Sequence, residues 1–117
     1  MPKTKPQSAE LKVTMDPSVI EMLTEPMRDL VQKAIDVMRH EKRGGMPIQR
    51  VHLSKFVDPE TENWEEVVFE VKLSCGEKEA IAHWGRLSEK VHRLTEGFSE
   101  SDRAQLENRI AVGADWE

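Results

Sequence analysis

Three observations on this 117-residue chain predict an α+β fold. Between Trp64 and Leu94 one hydrophobic period replaces another. Val67, Phe69, Val71 and Leu73 alternate as on a half-buried strand, and Ile81, Trp84, Leu87, Val91 and Leu94 then recur at helical spacing. Earlier, Leu30, Val31, Ala34, Ile35 and Met38 share one helical face while Arg28, Asp29, Gln32, Lys33, Asp36, Arg39 and Arg43 share the other. Between these lies a second alternating run, Val51, Leu53 and Val57 set against His52, Ser54 and Phe56, with Lys55 breaking the apolar series.

The elements follow in order. Residues 1 to 8 are polar, contain two prolines and read as a mobile tail; residues 9 to 117 read as one α+β domain. Leu11, Val13 and Met15 alternate with Glu10, Lys12 and Thr14, a strand signal over residues 9 to 15. Asp16-Pro17 then suits a helix start, with Asp at the N-cap and Pro at the first helical position. Val19, Ile20 and Leu23 begin its apolar face, and Pro26, lacking an amide hydrogen, should restart the helix near Glu25. Gly44-Gly45 ends the long helix that follows, because glycine takes positive φ without a Cβ clash.

The run Asp58-Pro59-Glu60-Thr61-Glu62-Asn63 is a polar connection between the two alternating strands, which should form an antiparallel hairpin. Ser74 and Glu77 have the spacing of a reciprocal capping box, so the next helix should open at Ser74 and run to about Thr95, with Gly97 as terminator. Ser99 and Asp102 repeat a capping pattern before a short helix. Ile110, Val112, Ala114 and Trp116 alternate as a terminal strand over residues 108 to 116.

The resulting order is β-α-β-β-α-(short α)-β. It is predicted to form a two-layer sandwich, an antiparallel sheet with both long helices on one face. This order is similar in layout to the split βαβ arrangement of ferredoxin-like folds. A shared layout implies no function.

The composition excludes several function classes. No apolar run is long enough to cross a bilayer, and the single Cys75 cannot form an internal disulfide or a cysteine cage. A cytoplasmic protein with no membrane contact is expected. Net charge is -5 and unevenly spread. Residues 46 to 57 hold two cations and no carboxylate, residues 58 to 74 one lysine against six acids, and residues 99 to 117 two arginines against five acids. The basic cluster Arg39-His40-Glu41-Lys42-Arg43 falls in a last helical turn, where it complements the helix dipole. Nucleic-acid binding is therefore not expected. The Glu65 to Val71 strand also lacks the basic, glycine and paired-aromatic pattern of RNA-stacking sheets.

Candidate chemistry is sparse. Cys75 sits where a helix dipole could stabilise a thiolate, but Glu77 and Glu79 oppose this, and a small packed residue is the better reading. His83 and His92 are nine residues apart, about 180° around a helix, and cannot share one ion from that helix. His40 and His52 have no zinc-type spacing, and Asp58, Glu60 and Glu62 lack the EF-hand glycine and terminal glutamate. No cofactor, metal or catalytic residue is assigned. Glu65 and Glu66 point to opposite faces of a strand and form no acid/base pair.

What remains is a surface. If Val67, Phe69, Val71 and Leu73 face the helices, His52, Phe56, Trp64 and Val68 lie on the opposite sheet face among Glu66, Glu70 and Lys72. The expected function is a non-catalytic protein-interaction module, binding another protein or itself as a homodimer through that open face. A small-ligand-binding or regulatory module is the second reading, and an enzyme the third.

Overall fold

The structure is a computed structural model that describes residues 11–61 and 64–116. The tail expected over residues 1 to 8 lies outside them, as do Glu10, Glu62 and Asn63. The elements are β1 (Lys12–Met15), α1 (Pro17–Met22), α2 (Glu25–Arg43), β2 (Ile48–Val57), β3 (Glu65–Leu73), α3 (Glu77–Arg93), a 3₁₀ turn (Leu94–Gly97), α4 (Glu100–Leu106) and β4 (Ile110–Trp116).

Local chemistry explains most boundaries. Pro26 falls in the first turn of α2, where its missing amide costs nothing, and the Thr24 hydroxyl accepts from the Met27 amide as N-cap. Beyond Arg43, Gly45 takes φ 113°, a conformation that a side chain disfavours. Ser99 caps α4 by accepting from the Asp102 amide at 3.2 Å. Two expected caps are absent. Asp16 precedes α1 without a capping bond, because its carboxylate is turned to His52. The helix expected to open at Ser74 opens after Gly76 instead, so no capping box forms there.

The sheet has order β1-β2-β3-β4 and is mixed. The β2–β3 hairpin is antiparallel, in register Val51 with Val71 and Leu53 with Phe69. β1 runs parallel to β2, and β4 parallel to β3. This corrects both the antiparallel sheet and the ferredoxin-like order, which would put β1 at the centre. A central strand needs a long apolar inner face. β2 and β3 supply Ile48, Val51, Leu53, Val67, Phe69, Val71 and Leu73, all nearly solvent-free, whereas four-residue β1 offers Val13 and Met15. The hairpin therefore takes the centre and the terminal strands flank it.

All these residues join Leu30, Ala34 and Met38 of α2 and Ala80, Leu87 and Val91 of α3 in one core, so both long helices cover one sheet face. With β2 and β3 antiparallel, two parallel crossovers on the same face must have opposite hands. One of them therefore runs against the right-handed rule. On α3 the expected stripe holds at Leu87 and Val91, which are buried, but not in its first half, where Ile81 and Trp84 are 51% and 41% exposed and Ala80 is buried instead.

Polar contacts add to the apolar packing at two places. Glu41, on the buried face of α2, accepts from Arg86 Nε at 2.8 Å and Lys90 Nζ at 2.6 Å on α3. At the other edge, Val67 N–H donates to Arg109 O, so the even-numbered β4 residues turn their backbone groups away from β3. Trp84 Nε1 donates to the outward Val112 carbonyl at 2.6 Å, and Asp115 Oδ1 accepts from the Trp116 amide at 3.0 Å. Both contacts occupy groups that an edge strand would otherwise offer to another chain.

Candidate functional site

The sheet face opposite the helices has no covering layer among the described residues. Strand alternation puts Lys12 and Thr14 of β1, Arg50, His52, Ser54 and Phe56 of β2, Glu66, Val68, Glu70 and Lys72 of β3, and Gly113 and Asp115 of β4 on it. The four residues expected there, His52, Phe56, Trp64 and Val68, all share this face. The strand register divides them into two groups.

Phe56 stands opposite Glu66, and Val68 opposite Ser54, so Phe56 and Val68 are diagonal neighbours. Trp64, just before β3, donates from Nε1 to Glu66 Oε2 at 2.8 Å. The Arg109 guanidinium lies over the Trp64 ring, 4.0 Å from its centroid. Phe56, Trp64, Val68 and Arg109 therefore form an apolar and aromatic patch around Glu66 at the hairpin end. Phe56 is 46% exposed.

His52 belongs to a polar group two rows away. Asp16 Oδ1 lies 3.0 Å from its Nε2, and Thr14 Oγ1 lies 2.6 Å from its Nδ1. An ionised carboxylate can only accept, so Nε2 carries a proton, and in the neutral ring Nδ1 accepts from the Thr14 hydroxyl. Ser54 donates to Glu70 Oε2 at 2.7 Å, and Lys72 donates to Asp115 Oδ2 at 3.3 Å. Alcohol, imidazole and carboxylate in line have the connectivity of a general-base relay. The His52 and Asp16 side chains are 36% and 45% exposed, however, so the relay is bathed in water and charges within it are screened. The geometry orients His52 but builds no desolvated reaction site.

Sequence reasoning missed Thr14, Asp16, Arg50 and Arg109 as members of this face. Thr14 and Asp16 are 36 to 38 residues from His52, and β1 joins β2 only through a crossover that periodicity does not encode. Arg50 had a readable signal, being two residues before His52 on the same strand.

The other candidates lie elsewhere. Cys75 is partly buried against the core at the β3–α3 junction. His92 is exposed and its Nδ1 lies 2.7 Å from the Ser88 carbonyl. Among the described residues no three His, Cys, Asp or Glu side chains gather as a metal cage. Glu41 has its carboxyl held below the usual carboxylate range, chiefly by the hydrogen bond from Lys90, which outweighs the opposing effect of burial; Arg86 adds to the lowering. It is a clamp between helices, on the far side of the sheet from the open face. Among the described residues no helix is long and apolar enough to cross a membrane. Comparison with protein-family models, with curated proteins and with solved structures finds no match, so the open face is the basis for assigning a role.

Proposed function

We propose that the chain is a non-catalytic module that self-associates through its open sheet face, with Phe56, Trp64 and Val68 at the centre of the contact and His52 at its margin. The observation that carries this reading is the charge balance of the uncovered face. The chain as a whole is acidic, at -5. On this face Lys12, Arg50, Lys72 and Arg109 offset Asp16, Glu66, Glu70 and Asp115, so two copies meet there without the repulsion that other surfaces would impose. Burial of the Phe56 ring is then favourable, by about 25 cal/mol per Å² of apolar surface removed from water. A single cysteine without a disulfide partner agrees with a reducing, cytoplasmic setting as part of the same reading.

Sedimentation equilibrium over a hundredfold range of protein concentration tests it. The expected mass rises from the 13.5 kDa chain toward twice that value, and Phe56→Glu keeps its thermal stability while remaining monomeric. A monomer throughout the range, or a dimer indifferent to Phe56→Glu, would overturn the proposal.

A further inference from the structure

The charges of the open face balance in sum but not in place. Register and strand parity set them out in rows that cross the strands. The first row, Lys12, Arg50, Lys72 and Asp115, holds three cations against one carboxylate. The second carries Glu70 beside His52, and the third Asp16 with Ser54 and Val68. Both are acidic, since the Ser54 hydroxyl leaves the charge of Glu70 in place and His52, neutral at pH 7, leaves that of Asp16. In the fourth row, beside Phe56, Glu66 and Arg109 cancel. The fifth lies at the hairpin end, where the Asp58 amide donates to the Trp64 carbonyl, and its charge is that of Asp58.

Two copies can stack face to face with their strands running the same way or opposite ways. Running the same way, the cationic row lies on its own duplicate, with Arg50 over Lys72 of the second copy. Like charges brought together across an interface oppose docking. Running opposite ways, about a two-fold axis through the Ser54–Val68 row, the cationic row of each copy lies over Asp58 and Trp64 of the other. Val68 is then in the middle with Phe56 next to it. Glu70 comes over the Glu66 and Arg109 pair, whose charges cancel, and only the Asp16 row meets its duplicate. The reversed pairing therefore turns the largest repulsion of the face into an attraction.

We propose that the second copy docks antiparallel to the first, with Arg50 of each copy paired to Asp58 of the other, and that these two contacts select the direction. Arg50 is exposed and has no ion pair or hydrogen bond among the described residues. Asp58 Oδ1 accepts from the Glu60 amide at 2.9 Å, which leaves its second oxygen for the guanidinium. Stacked sheets lie about 10 Å apart, a gap that an arginine and an aspartate cross together from opposite sides. This orientation rests on the self-association reading and adds to it the residues that set the direction of the pair.

Sedimentation equilibrium of Arg50→Glu, of Asp58→Lys and of their equimolar mixture tests it. Each variant alone places like charges at both contacts and should associate at least about tenfold more weakly than the parent chain. In the mixture one contact has its charges exchanged and the other is unchanged, so association should return to near the parent value. A mixture no tighter than its components would overturn the orientation. So would an Arg50→Glu variant tighter than the parent, because stacking in the same direction sets that position over Lys72. Melting curves check that each variant folds. Arg50→Gln and Asp58→Asn, the second of which keeps the acceptor for the Glu60 amide, provide a gentler pair: combined, they should weaken association no more than either alone, and additive losses would overturn the orientation as well. A parent chain that stays monomeric would remove the self-association reading itself, an outcome distinct from a parent dimer indifferent to these exchanges.

Discussion

Replacing Glu41 with Gln tests how the two helices are held together. The Glu41 side chain is 8% exposed and takes two charge-assisted hydrogen bonds, while Arg86 and Lys90 are 60% and 40% exposed. A hydrogen bond to a charged group contributes about 1.5–3 kcal/mol when shielded from water. Cations this exposed recover part of their solvation when released, which reduces each contact to about 0.5–1 kcal/mol. Glutamine can still accept from one cation, but its amide group turns a donor toward the other. The expected loss is about 1–2 kcal/mol. Unfolding entropy of about 2.1 cal/mol/K per residue over this chain gives about 0.25 kcal/mol/K, so the melting temperature should fall by about 4–8 °C.

The pH dependence makes the reasoning specific. Because the Glu41 carboxyl is held below its ordinary value in the folded chain, its contribution is full above the unfolded value, about pH 4.3, and is lost as pH falls through the lower folded value. Protonated Glu41 is neutral, as glutamine is. Melting curves of parent and Glu41→Gln from pH 7 down to pH 3 should therefore converge in the acid range. A gap that stays constant with pH would show that the loss comes from shape and not from charge. A variant as stable as the parent at pH 7 would mean that desolvation of the carboxylate cancels both ion pairs.

Four further substitutions probe the fold. Phe69→Ala removes a ring with no solvent exposure from the centre of the hairpin and should cost about 3–5 kcal/mol in denaturant unfolding; a loss under about 1 kcal/mol would contradict its place in the core. Gly45→Ala forces a side chain into φ 113° and should cost about 1 kcal/mol or more, whereas Gly44→Ala, at φ -78°, should cost less; the reverse ranking would reject the turn as described. Trp84→Phe keeps an aromatic ring but gives up the bond to the Val112 carbonyl. It should lose about 1 kcal/mol and increase self-association along the β4 edge, and an unchanged melting temperature would show that the contact does not guard that edge.

The parts of this fold that sequence reasoning reaches are those whose cause is local. The alternation in Val67 to Leu73 and the spacing in Leu30 to Met38 each record one element facing one core, and those residues are buried as expected. Strand order is a different kind of property. Nothing in the residues of β1 says which strand lies beside it. That choice follows from competition for the centre of the sheet, which the hairpin wins with its longer apolar inner face. The first half of the α3 stripe shows a similar limit: Ile81 is larger and more apolar than Ala80, yet Ala80 is the residue buried, because the helical period alone does not fix how the helix is rotated against the sheet. Glu41 was legible in principle, since it lies three residues beyond Met38 on the α2 apolar face, where a carboxylate requires a partner. The open face shows the same limit. Parity along each strand placed His52 and Phe56 on it, yet the contacts of His52 with Thr14 and Asp16 exist only because β1 pairs in parallel with β2. The fixed orientation of His52 is therefore a property of topology. It depends on the same β1–β2 pairing that corrects the ferredoxin-like expectation, and a chain in which β1 paired elsewhere would hold His52 by neither contact.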